Sequence, residues 1–143
     1  MTIITIDYRH VKEWDTEEII DLYKAGSWWK DEYDPSGIPP LIKGSFDFVI
    51  AFDNDEKRAV GMGRSISDGV SDAYIQDVVV FPDLRGKGIG RGIVRELIDH
   101  ARGSGLVWIG LIAEKDTNKF YEPLGFKEFN GTPMLLEDQG ERN

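Results

Sequence analysis

The stretch Val78-Val-Val-Phe-Pro-Asp-Leu-Arg-Gly-Lys-Gly-Ile-Gly90 decides how the chain is read. A run of β-formers, Ala73 to Phe81, gives way to three glycines at alternate positions. An apolar stripe then takes up a four-residue spacing, Ile89, Ile93, Leu97 and Ala101, broadened by Val94 and Ile98. The reading is a buried strand, a tight glycine turn, and an amphipathic helix over Gly88 to Ala101. Gly86, Gly88 and Gly90 let backbone approach a ligand where a Cβ would clash. The helix start presents unpaired N–H groups and the positive end of its dipole. Arg85, Lys87 and Arg91 add charge at the same place. The combination points to a cradle for phosphate or pyrophosphate. A plain strand–helix turn with solvated basic residues is the competing reading. A P-loop is excluded by the missing Gly-Lys-Ser/Thr ending, and the dinucleotide fingerprint fits poorly because the glycines alternate without the wider second gap.

Upstream, residues 2–8 alternate as a first strand, and Thr16 to Lys24 reads as a helix capped by Thr16, with Glu17 and Glu18 at its positive end. Residues 26–40 hold three prolines and the pair Trp28-Trp29, and read as a loop leading to a short helix near 38–43. Ser45 to Phe52 is a strand with Phe46, Phe48 and Ile50 on one face, and Asp53–Lys57 is a turn to a returning strand, Arg58 to Ser67. Downstream, Leu106 to Ile112 is a strand and Thr117 to Glu122 a short helix stopped by Pro123. Residues 125–129 and 132–136 are expected as two closing strands, and 138–143 as a polar tail. Residues 1–137 are expected to make a single mixed α/β domain with antiparallel hairpins and at least one crossover.

Of 143 residues, 26 are acidic and 17 are Lys or Arg, a formal net charge of −9 that opposes broad contact with nucleic acid or anionic lipid. Cysteine is absent, which removes disulfides, thiolate nucleophiles and cysteine metal sites. Only His10 and His100 supply imidazole; no metal-ligand spacing joins them, both read as surface residues, and no metal is implied. Apolar runs fall far short of the ~20 residues that span a membrane, so a soluble, cytoplasmic protein is expected.

Arg85-Gly-Lys-Gly-Ile-Gly resembles the acetyl-CoA-binding signature of the GCN5-related N-acetyltransferase superfamily. Asn118-Lys-Phe-Tyr-Glu-Pro-Leu-Gly-Phe is similar to that superfamily's C-terminal tyrosine motif, at the family's separation of one helix and one strand. The resemblance runs from Ile3 to about Leu136. It implies the acyl-CoA N-acyltransferase fold: a mostly antiparallel sheet of six or seven strands, the fourth and fifth splayed by a bulge, with about four helices around it. It implies acetyl-CoA as cofactor, its pyrophosphate held by backbone from Gly86 and Lys87 through Gly88, Ile89 and Gly90, with Arg85 and Arg91 beside it. It implies that main-chain groups of Val78 and Val80 pair with the pantetheine arm and that an N–H near Val79 or Val80 meets the oxyanion. Tyr121 matches the position of the family's general acid. Many members carry a pantetheine-binding asparagine seven residues before that tyrosine, where this chain has Glu114; Asn118, three before it, is the candidate for that cofactor contact, together with Tyr121 itself.

Amine acetylation needs a neutral amine and a protonated leaving thiolate. A tyrosine, with a reference pKa near ~10, can supply the second. Asp77, between apolar neighbours in the fourth strand, is the first candidate base; a structural acceptor role, Asp68, Asp72, Glu32, Asp34 and a water chain compete with it. Trp28, Trp29 and Tyr33 are candidates for an acceptor wall, against a core-packing role. Arg64 either binds a substrate carboxylate or pairs with Asp68 or Asp77. The expectation is an enzyme that transfers acetyl to a primary amine, on a small molecule, within a ternary complex, as a monomer or homodimer. A noncatalytic acetyl-CoA sensor, an enzyme for peptide amines, and a nucleotide- or RNA-binding protein are the alternatives.

Overall fold

In the computed structural model, which describes residues 4–137, five strands form one sheet in chain order: β1 (Ile6–His10), β2 (Asp47–Asp53), β3 (Arg58–Ser67), β4 (Asp72–Val80) and β5 (Trp108–Leu111). The first three pairings are antiparallel and the last is parallel. Residues 1–3 and 138–143, which include the start of the expected first strand and the polar tail, lie outside the described residues. The β2–β3 turn closes because Asp53 Oδ1 accepts from the N–H groups of Asp55 (2.8 Å) and Glu56 (3.2 Å).

Helices cover both faces of this sheet. On one side α1 (Thr16–Ala25) and α2 (Ile38–Gly44) bring Ile19, Leu22, Tyr23, Ile38 and Ile42 against Phe48, Ile50, Met62 and Val79. On the other lies α3 (Ile89–Gly103). A Cβ at Gly61 would stand 2.9 Å from Ile93 Cδ1, and one at Gly63 2.8 Å from Ile93 Cγ2, so β3 admits α3 through its glycines. Burial on both faces explains why Phe48, Val49, Ile50 and Ala51 are all buried instead of alternating.

Two local expectations are corrected. Asp15, not Thr16, caps α1: its Oδ2 accepts from Glu18 N–H at 3.0 Å, and Thr16 is already helical. The capping oxygen has to come from the last extended residue, one position earlier. Phe46 leaves the face of Phe48 and Ile50 and packs instead with Ala73, Ala101 and Leu106, its ring 5.2 Å from that of His100. It precedes the first residue of β2, where strand alternation does not yet apply.

The described chain divides into two compact units, Met1–Leu111 and Ile112–Asn143. The second contains α4 (Asn118–Tyr121), a 3₁₀ turn over Glu122–Leu124, and Gly125 at φ +101°. The strands expected at 125–129 and 132–136 do not form, so the sheet has five strands among the described residues, not six or seven. A strand needs a paired edge and a covered face. Here Phe129, Leu136, Leu135 and Met134 remain between 64% and 91% exposed.

Candidate active site

The centre of the first unit is a bulge in β4. Met62 faces Val79 and Arg64 faces Gln76, so Gly63 alone opposes both Asp77 and Val78. Asp77 absorbs the extra residue in the left-handed region, at φ +58°. β5 pairs only with Asp72–Ile75, and among the described residues β4 has no strand beside Gln76–Val80 on that side. The strands thus fork as expected. Phe81 N–H donates to Val60 C=O at 3.1 Å. Because successive residues turn their polar groups to opposite edges, Val80 and Val78 point theirs into the fork while Val79 faces Met62. Arg85 Nε reaches back to Val80 C=O at 3.2 Å.

Beyond the strand, Pro82–Leu84 makes a 3₁₀ turn, and Gly86 (φ +79°) and Gly88 (φ +85°) bring the chain to α3. Both glycines are required by their backbone angles, and the positions their Cβ atoms would take are open. No side chain caps α3, which leaves the N–H groups of Ile89, Gly90 and Arg91 without an intrahelical partner. Arg85, Lys87 and Arg91 are exposed around them. Open volume, free N–H groups and three cations fit a diphosphate. A surface cavity of about 470 Å³ beside the same helix start is lined by Ile4, Ile6, Tyr8, Lys87 and Ile89. It lies at the β1 edge, separated from the fork by β2 and β3.

Asp77 Oδ2 accepts from Arg64 Nε at 2.7 Å and from the Tyr23 hydroxyl at 2.8 Å, and Arg64 Nη2 also donates to Gln76 at 3.2 Å. Burial first, then the Asp77 charge and hydrogen bond, push the Tyr23 hydroxyl well above the usual phenol range, partly offset by Arg64. In the sequence Tyr23 shares a helical face with Ile19 and Leu22, a spacing that assigns it to packing and not to the site. The available signal was its hydroxyl: a buried tyrosine must find a partner.

The Trp28 ring lies 6.2 Å from that of Tyr23, and Trp29 meets Tyr33 edge-on at 5.4 Å. Both indoles are half-buried against the α1 core. The structure therefore joins Trp28, Tyr23, Arg64 and Asp77 in one run of contacts. Two competing carboxylates are committed to turns. Asp68 accepts from Ser71 and Val70 N–H and the Ser71 hydroxyl, and those bonds hold it below the usual carboxylate range. Asp34 is held low in the same way by Ser36 N–H. Asp72 and Glu32 are exposed.

In the second unit Tyr121 closes α4 between Phe120 (rings 4.9 Å apart) and Phe126 (5.8 Å). Burial, and secondarily the Glu114 carboxylate, raise its hydroxyl above the ordinary value. Asn118 is exposed at the first position of the helix, and Thr117 Oγ1 donates to Glu114 C=O at 2.7 Å.

The family model described as Acetyltransferase (GNAT) family matches residues 8–126. The chain belongs to that family. Within this GNAT chain the matched span takes in the bulge, the glycine turn and Tyr121. Curated relatives include an uncharacterized N-acetyltransferase, ycf52, of Porphyra purpurea, 38% identical over 54% of this chain and 45% of that protein. Another is serotonin N-acetyltransferase 2, chloroplastic, of Oryza sativa subsp. japonica, 42% identical over 48% of this chain and 34% of its own length. The chain thus spans less than half of each. Among solved structures, the GNAT family protein SP0256 of Streptococcus pneumoniae TIGR4 superposes with a TM-score of 0.78 at 24% identity, covering 94% of this chain and 99% of that one. That likeness supports the fold.

Proposed function

We propose that the protein is an acetyl-CoA-dependent N-acetyltransferase that modifies the primary amine of a small molecule with an apolar body. The observation carrying this reading is the uncapped start of α3, set behind two left-handed glycines at the end of a strand whose Val78 and Val80 main chain faces an open fork. Ile89, Gly90 and Arg91 N–H groups bind the diphosphate, and Val78 and Val80 pair with the amides of the arm. Bound acetyl-CoA supplies the thioester carbonyl.

Transfer forms an N–C bond, breaks a C–S bond, takes a proton from the amine and gives one to the thiolate. Val80 N–H, turned to the fork, is the better donor to the charge developing on the carbonyl oxygen, since Val79 N–H faces β3. Asp77 Oδ1 accepts no hydrogen bond among the described residues, while Oδ2 is committed to Arg64 and Tyr23. Oδ1 therefore takes the amine proton, directly or through water. Tyr121 protonates the thiolate: a phenol carries its proton at neutral pH, and burial raises its pKa further. Trp28, Trp29 and Tyr33 offer aromatic surface to the body of the amine. The serotonin-acetylating name of one relative agrees with an aromatic amine.

The test is release of CoA across arylalkylamines, polyamines and peptide amines, repeated with Tyr121→Phe. Release with arylalkylamines that falls in the variant supports the reading. Acetyl-CoA binding without amine-dependent release would overturn it in favour of a sensor.

A further inference from the structure

On the α3 side of the sheet, four ionisable side chains converge that acetyl transfer does not use. His10 ends β1 and Asp47 begins β2; because His10 stands opposite Val49, the two are diagonal neighbours on one face. Glu96 and His100 project toward them from α3, one helical turn apart. His10 Nδ1 lies 2.7 Å from Asp47 Oδ1, and its Nε2 lies 3.0 Å from Glu96 Oε1. The His100 ring is 5.5 Å from that of His10. One ligand atom from each of His10, Asp47 and His100 falls within 4.8 Å of the others.

Asp47 is only 3% exposed, and its second oxygen, Oδ2, is buried with no hydrogen-bond partner. A bridging His10 satisfies Oδ1 and Glu96 but leaves that oxygen without a donor, and His100 contributes ring contacts with His10 and Phe46. Buried carboxylate oxygens without donors are uncommon because they lose hydration and gain nothing.

We propose that His10, Asp47 and His100 bind a divalent transition-metal cation of zinc-like preference. Two imidazoles and a carboxylate are a borderline donor set suited to zinc, not the all-oxygen shell of magnesium or calcium. Glu96 supplies the usual outer partner, accepting the second ring N–H of His10 and fixing which nitrogen faces the metal. Around zinc, donors at ~2.0–2.2 Å stand ~3.3 Å apart. The 2.7 Å pair has to open slightly and His100, on the exposed side, has to turn inward. The metal would clamp the edge strand β1 to α3 and β2. This site is independent of the acetyl-transfer reading.

The full chain, freed of any affinity tag and stripped with chelator, is titrated with Co²⁺ in the visible range and with Zn²⁺ by calorimetry, with Mg²⁺ as control. The expected result is saturable uptake of one Co²⁺ per chain, displaced by Zn²⁺ and not by Mg²⁺. His100→Ala, at an exposed position, should keep the fold and weaken binding by at least ~10-fold. Zn²⁺ should raise the melting temperature of the wild-type protein and not of the variant. Absence of saturable uptake, or uptake unchanged in His100→Ala, overturns the proposal.

Discussion

Arg64 donates through Nε to Asp77 Oδ2 at 2.7 Å where β3 and β4 slip out of register. The bulge takes the Asp77 side chain out of simple alternation, and both partners are largely buried, at 16% and 22% side-chain exposure. Arg64→Ala strips a charge-assisted bond from a carboxylate that water only partly reaches. A loss of ~2 kcal/mol in urea unfolding is expected. Asp77→Asn keeps the shape but removes the acceptor proposed for the amine proton. Its kcat should fall ~100-fold or more while acetyl-CoA affinity stays within ~2-fold. An unchanged kcat removes Asp77 from the chemistry.

Tyr23 makes a separable prediction. Tyr23→Phe deletes only the hydroxyl that donates to Asp77 Oδ2 at 2.8 Å. The aromatic contact with Trp28 remains. Stability should fall by ~1–2 kcal/mol, as for a hydrogen bond to a charged group. In combination with Asp77→Asn the two losses should be less than additive, because they share one bond. Strict additivity in a double-mutant cycle speaks against that coupling.

For Tyr121 the pH dependence has a definite sign. A general acid, the role proposed for Tyr121, works only while protonated, so activity should decline as pH rises through its pKa. Burial and the Glu114 charge place that pKa above the ordinary phenol value, so the decline belongs in strongly alkaline solution. Glu114→Gln removes the second cause and should move the alkaline limb of kcat to lower pH with little change at neutrality. Tyr121→Phe should cut kcat ~100-fold or more and flatten that limb. A limb that persists unshifted in Tyr121→Phe reports some other group.

Much of this was legible in the chain because local chemistry is loud there. The run of β-formers, the glycine spacing and the stripe of Ile89, Ile93 and Leu97 name β4, the turn and α3 without tertiary help. The Arg64–Asp77 pair is one of three readings the sequence leaves open for Arg64, beside a substrate carboxylate and Asp68. The contact with Tyr23 was not legible, because it crosses from α1 to β4 and depends on where a bulge falls. The meeting of His10 with Asp47 and His100 likewise exists only once β1 pairs with β2 in register and α3 packs across them. The two strands expected at 125–136 fail for the opposite reason: an apolar pattern satisfies the local rule, but Phe129 and Met134 to Leu136 stay largely exposed.

Two glycines in the same region should fail in different ways. Gly88 sits at φ +85° with open space where a Cβ would go. Gly88→Ala therefore meets no atom but forces a left-handed alanine, costing ~1–2 kcal/mol. On the proposed reading its methyl would also stand where the diphosphate approaches the α3 N–H groups, so acetyl-CoA affinity should drop ~10-fold or more. In Gly63→Ala the methyl would lie 2.8 Å from Ile93 Cγ2, 3.1 Å from Leu97 Cδ1 and 3.2 Å from Val78 Cγ2. Overpacking there should cost ~1–3 kcal/mol. It acts on the α3 face of β3 but also crowds Val78, whose main chain is proposed to meet the arm, so affinity measured well below the melting temperature should fall by less than in Gly88→Ala. Calorimetric titration beside thermal melts separates the two outcomes. Equal losses of affinity in both variants would mean that the glycine turn is not where the diphosphate is held.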